Sequence, residues 1–355
     1  MAKRPNDDFS MAGGALVAVP QKKIRNELVP TSIGDNRNKA VVEGGPPRTS
    51  SLQAPIMQLT GHQGEVYSCK FHPDGKTIVS GGHDRQLFFW KVYGDCENTA
   101  ALIAHKGSIL DVQFSADGNM LFSASTDKTI CMWDNPTLQR IKKLKGHSGI
   151  VNSCHTSKRG PQMLCSGSDD ASLKIWDLRT RKATQSFKDE YQILAVTFNE
   201  NSDQIIYGGI DNLIKVYDLR KCAILYSMAG HLDTITGLAS SPDGSFVLSN
   251  SMDSTLRIWD IRPFAPQERC TKVFQGHQHN FEKNLLRCSW SPDGTKISAG
   301  SADRHVYIWD THYRHILYKL PGHNGSVNEV VFHPNEPIVL SCSSDKDLFL
   351  GEIEP

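Results

Sequence analysis

The sequence lacks an apolar run of about 18 residues, the length a membrane-crossing helix needs. The longest apolar stretch near the N-terminus, Ala15 to Val19, ends at Pro20. With Asp7 and Asp8 upstream, no secretory signal is expected. There is no excess of one charge: 39 Lys and Arg face 38 Asp and Glu, a net of +1. That excludes a strongly basic nucleic-acid coat or an acidic tail protein as the whole of the chain. No Cys-x-x-Cys pair occurs among the nine cysteines, which are odd in number and irregular in spacing. Reduced core thiols in an intracellular compartment are therefore expected, with no zinc site. No phosphate-binding loop or nucleophile signature is present, so no catalytic, metal or cofactor residue is assigned.

Residues 1–50 differ from the rest. They hold one aromatic, Phe9, and the pair Pro46-Pro47; eight basic residues against five acidic ones leave +3. Such a segment buries too little apolar surface to offset its ordering entropy, and a disordered basic tail is expected. Lys22-Lys23-Ile24-Arg25 within it has the composition of a weak nuclear-import signal. From residue 51 to residue 355 the pattern is regular.

That pattern is a repeat. Asp84 and Trp90 are six positions apart, as are Asp127 and Trp133, Asp170 and Trp176, Asp253 and Trp259, and Asp303 and Trp309. Asp211 and Asp345 keep the step but lead to Tyr217 and Gly351. Successive aspartates lie 43, 43, 41, 42, 50 and 42 residues apart. Between them run short β-rich segments such as Leu173-Lys174-Ile175-Trp176, broken by turns such as Pro73-Asp74-Gly75 and Pro292-Asp293-Gly294. A period of 40–45 residues with Gly-His and Trp-Asp marks a four-stranded propeller blade. On these motifs residues 52–355 resemble the WD-repeat family. The resemblance implies an all-β, seven-bladed propeller closed by pairing of a strand at 55–60 with the C-terminal blade. Closure of that kind leaves no edge to template aggregation.

Four repeats carry a His, Ser, Asp and Trp: His62, Ser80, Asp84 and Trp90; His105, Ser123, Asp127 and Trp133; His147, Ser166, Asp170 and Trp176; His231, Ser249, Asp253 and Trp259. A catalytic triad is rejected, because an enzyme needs one such set beside a substrate pocket and not one per repeat. The resemblance implies a structural relay that satisfies buried donors. Blade 4 departs, with Asp189, Tyr207 and Tyr217 in the His, Ser and Trp places; blade 6 has Ala299 for Ser, and blade 7 has Gly351 for Trp. These blades are expected to open more easily.

Antiparallel blades alternate their loops between two faces. Residues just before the turn Asp, and those flanking the first inner strand, are expected on the face of the His loops. Candidates for partner contact there are Tyr67, His83, Asn152, Asp169, Ile210 and Met252. The 50-residue spacing adds two insertions, Arg262-Pro263-Phe264-Ala265-Pro266 on the opposite face and Gln278-His279-Asn280-Phe281-Glu282-Lys283 on this one. Loop insertions carry partner contacts, so Phe264, His279, Phe281 and Lys283 join the candidates. The basic run Ile141-Lys142-Lys143-Leu144-Lys145 reads as a solvated edge strand, without the aromatic interleaving of a single-strand binder.

Segments outside the repeat motif extend the resemblance. Ser51 to Met57, Val92-Tyr93-Gly94-Asp95-Cys96, Asp260 to Pro266 and Asn280 to Trp290 are similar to a family of WD-repeat subunits of the U5 small nuclear ribonucleoprotein of the spliceosome. That implies a non-catalytic scaffold subunit in pre-mRNA splicing, in the nucleus. It would dock on the particle's large scaffold protein, with its GTPase and helicase as neighbours and U5 RNA reached only indirectly. No membrane, small-molecule substrate or cofactor is implied. The alternative is a substrate receptor of a cullin-type ubiquitin ligase, through Trp-Asp-x-Arg at Trp176 to Arg179 and Trp259 to Arg262.

Overall fold

A computed structural model describes residues 48–280 and 282–354. The expected disordered tail, the import signal and the candidate Phe281 lie outside these residues, apart from the last three positions of the tail. The described chain forms seven four-stranded antiparallel sheets. They span residues 66–103, 109–145, 151–188, 193–228, 235–275, 288–320 and 327–352, here blades 1 to 7. The first six blades are consecutive in sequence. Blade 7 takes its outer strand from the other end of the chain: β1 (Ile56–Leu59) pairs antiparallel with β28 (Leu348–Glu352), Met57 opposite Leu350. Arg48, Thr49 and Ser50 secure this joint through the Glu352 carboxylate, with the Arg48 Nε contact at 2.8 Å.

Alternation along each inner strand buries both sheet faces, because each blade is covered by its neighbours. Val79, Leu87 and Phe89 of blade 1 pack with Ile109, Val112, Leu121 and Trp133 of blade 2. At the closing seam Val66, Cys69, Ile78 and Trp90 pack against Ile338, Leu340, Leu348 and Leu350. The core is thus a ring of inter-blade layers. Eight of the nine cysteines lie at least partly buried in it, Cys222 being exposed, and none is disulfide-bonded.

The innermost strand of every blade but the sixth carries a register shift at its start, for example between Val66 and Ser68, Ile109 and Asp111, and Val151 and Ser153. A bulge re-aims one side chain and leaves its carbonyl out of the ladder. Those carbonyls face the axis and need partners. Arg287, in the segment leading into blade 6, supplies three donors. Its backbone N–H binds Asn328 O at 2.8 Å, and its Nη2 binds Leu110 O at 3.0 Å and Asn152 O at 2.9 Å. Its Nη1 pairs with Asp111 at 3.1 Å. One guanidinium therefore crosses the axis to blades 2 and 3. Gly237 makes room for this segment: a Cβ there would lie 3.0 Å from Arg287 Cα and 3.2 Å from Leu286 O.

Candidate interaction surface

The repeated polar residues meet inside the blades. In blade 1 the Trp90 indole N–H donates to Ser80 Oγ at 2.9 Å; Ser80 Oγ lies 2.7 Å from His62 Nε2, and His62 Nδ1 lies 2.7 Å from Asp84. Since the indole can only donate, the serine accepts it and is free to donate to Nε2, which leaves Nδ1–H for the carboxylate. Blades 2, 3 and 5 repeat the chain, with Trp–Ser distances of 3.0, 2.9 and 2.8 Å. Blade 7 keeps His323, Ser341 and Asp345 at 2.8 and 2.9 Å, and Phe349 stands edge-on against the imidazole. The four serines of the complete sets are fully buried. Each Ser, His and Asp of these sets is spent on its neighbours, and burial closes the serine hydroxyls off from solvent.

The charges in these sets differ. Burial presses the His105 imidazole down, but hydrogen bonds to Asp127 and Cys131 outweigh it and hold it at about 9. Burial dominates at His147, which is lowered. Burial pushes the Asp345 carboxyl up, yet the hydrogen bonds from His323 and the Asn324 N–H bring it down to about 2.

Blades 4 and 6 solve the same problem otherwise. In blade 4 Lys215 Nζ sits between Asp189 at 2.8 Å and Asp211 at 2.7 Å, an ion triplet in place of the imidazole. The sequence signal was the acid Asp189 in the His place; Lys215 itself gave none, since Lys174 holds the same place in blade 3. In blade 6 His277 turns away to Asn250 Oδ1 of blade 5 at 2.9 Å, Trp309 donates to Gln275 O at 3.1 Å, and Tyr307 donates to Asp303 at 2.7 Å. Asn250 also donates to Leu286 O at 3.0 Å, so one side chain ties both ends of the longer loop.

The surface candidates separate into exposed and buried. His83, Asp169, Ile210 and Lys283 are exposed, and Tyr67 and Met252 are half-buried. Tyr67 donates to Glu65 at 2.7 Å. Asn152 is a correction: it is only 3% exposed, and its amide binds Asp169 at 2.6 Å and Ile193 O at 3.1 Å. It is a bulge residue turned inward to join blade 3 to blade 4. His279 lies partly under the loop, stacked edge-on against His277, and burial lowers it to about 4. Phe264 is fully exposed. Its insertion lies within blade 5, between β20 (Thr255–Asp260) and β21 (Cys270–Gln275). A groove of about 440 Å³ opens between blades 5 and 6 on that face, lined by Pro242, Phe246, Arg262 and Trp290. Arg179 and Arg262 of the Trp-Asp-x-Arg motifs fold back on Asp177 and Asp260.

The WD domain, G-beta repeat model matches residues 53–91, 94–134, 138–177, 222–260, 268–310 and 314–350. The unmatched stretch between 177 and 222 holds most of blade 4, where the ion triplet stands. The chain is 59% identical over 350 residues to the "U5 small nuclear ribonucleoprotein 40 kDa protein" of Mus musculus, covering 96% of this chain and 98% of the relative. It is 50% identical over 354 residues to the protein of the same name in Dictyostelium discoideum, covering 99% of each. It is 44% identical over 306 residues to "Pre-mRNA-splicing factor cwf17" of Schizosaccharomyces pombe, covering 86% of this chain and 90% of the relative. With a repeat model across most of its length and relatives matched end to end, the chain belongs to the WD-repeat family, in the branch of the U5 small nuclear ribonucleoprotein 40 kDa proteins.

Proposed function

We propose that the chain is a non-catalytic scaffold subunit of the U5 small nuclear ribonucleoprotein and acts in pre-mRNA splicing in the nucleus. The observation that carries this reading is the end-to-end identity of 59% to a protein of that name, far beyond what a shared repeat requires. The internal use of every relay Ser, His and Asp favours a role in contacts over a role in chemistry. In this reading the propeller docks on the large U5 scaffold protein, beside the particle's GTPase and helicase. U5 RNA is reached through the particle.

A tagged chain recovered from nuclear extract at moderate salt tests this. Co-recovery of U5 RNA with those three proteins supports it. Phe264→Ala is expected to reduce that recovery while leaving the melting temperature within about 2 °C, since an exposed side chain contributes little to folding. Recovery of a cullin and its adaptor without small nuclear RNA would overturn the reading and turn attention to Arg179 and Arg262.

A further inference from the structure

The face that carries the His loops is divided electrostatically. At the turn residue after each Asp the backbone is left-handed, with φ between 58° and 77° at Arg85, Lys128, Ala171, Asn212, Ser254, Arg304 and Lys346. Blades 6, 7, 1 and 2 place a cation there: Arg304, Lys346, Arg85 and Lys128, all exposed. Blades 3, 4 and 5 place Ala171, Asn212 and Ser254 instead. In the loops of these three blades, residues 169–171, 188–192, 210–213, 230–234 and 252–254, seven acids accompany one cation, Lys188. Asp170 and Asp253 are bound to their histidines, and Asp189 and Asp211 to Lys215. Asp169, Glu190 and Asp233 remain exposed.

The same sector exposes large apolar groups. Leu232 is 83% exposed, Tyr191 49% and Ile210 44%. Their loops are tied together: Ile210 N–H binds Gln192 O at 3.4 Å, and Asn212 Nδ2 binds Leu232 O at 3.2 Å. Met252 N–H binds Thr234 O at 2.9 Å, which ties the loop of this half-buried residue to that of Leu232. No fold requirement puts these side chains in water, since the core beneath them is already filled by Ile193, Ile214 and Ile235.

We infer that Tyr191, Ile210, Leu232 and Met252, rimmed by Asp169, Glu190 and Asp233, dock a polypeptide segment that carries apolar side chains flanked by Lys or Arg. The inference rests on the reading above that the chain works by contacts within a particle. Charge complementarity selects the occupant: apolar anchors supply burial, and the acidic rim favours basic flanks while rejecting nucleic acid. A second copy presenting the same sector would oppose acid to acid.

The test places the photo-crosslinker p-benzoylphenylalanine at Leu232 in the full chain, in nuclear extract, and sequences the crosslinked peptide. A segment with apolar residues and net positive charge is expected. Glu190→Lys combined with Asp233→Lys is expected to lower that crosslink about tenfold with the melting temperature unchanged. A crosslink to RNA, to a second copy or to an acidic segment would overturn the proposal, as would no crosslink or one that survives charge reversal. U5 RNA recovered with the unmodified chain is scored in parallel. If it is recovered while the crosslink fails, the surface is wrong and the particle assignment stands; if it is absent, the particle assignment itself has failed.

Discussion

At the scale of single residues, the relay serine is the point on which an indole donor and an imidazole converge. Ser166 accepts the Trp176 N–H at 2.9 Å and lies 2.8 Å from His147 Nε2, fully buried. Ser166→Ala leaves both ring groups without a partner and water without access. It is expected to cost about 1–3 kcal/mol, read as a lower urea midpoint. The reverse change in blade 6 gives no matching gain. Ala299→Ser would add a hydroxyl where Trp309 already donates to Gln275 O and His277 already faces Asn250. The expected outcome is a melting temperature equal to or below that of the wild type; a clear rise would mean that His277 can swing back into its own blade.

At the scale of the element, a blade is held by hydrophobic layers that its relay only completes, so the relay's charge can be titrated without dismantling the sheet. Asp345 has its folded carboxyl at about 2, below its ordinary value of 3.8. A carboxyl lowered by folding stabilises the fold when ionised. The contribution is complete above about pH 4 and is lost as pH falls through about 2. The stability difference between wild type and Asp345→Asn is therefore expected to be constant from neutral pH to about pH 5 and to shrink between about pH 4 and pH 2, measured by urea unfolding at each pH. A difference independent of pH would assign the effect to shape and not to charge. The blades themselves were legible in sequence because the Asp-to-Trp step and the turn residues are local. Blade 4 was legible as a departure, but the triplet at Lys215 was not. A lysine two places before Trp or Tyr also occurs in blade 3, where Lys174 binds only Ser186. Asn152 misled because strand alternation assigns it to the rim, whereas the bulge turns it inward.

At the scale of the molecule, what the repeat pattern could not show is how the ring is braced from within. Arg287 lies 177 residues from Leu110 and 135 from Asn152, partners no local periodicity connects. The loop that brings it there was visible only as extra length. Its ion pair with Asp111 is buried: the guanidinium is 11% exposed and the carboxylate 0%. Asp111 also accepts from Ser153 Oγ at 3.1 Å and from the Cys154 N–H at 2.8 Å, which joins blade 2 to blade 3. Arg287→Met removes the cation and the two side-chain donations to Leu110 O and Asn152 O at once, keeps the backbone N–H to Asn328 O, and leaves a desolvated carboxylate facing the bulge carbonyls. The expected cost is about 3–5 kcal/mol, seen as a lower urea midpoint for the whole propeller. Much of that cost belongs to the stranded charge. Arg287→Met combined with Asp111→Asn is therefore expected to be less destabilised than Arg287→Met alone, a non-additivity that neighbours in one network produce. Equal or greater loss in the double variant would place the bracing in the carbonyl contacts of Leu110 and Asn152 and not in the ion pair.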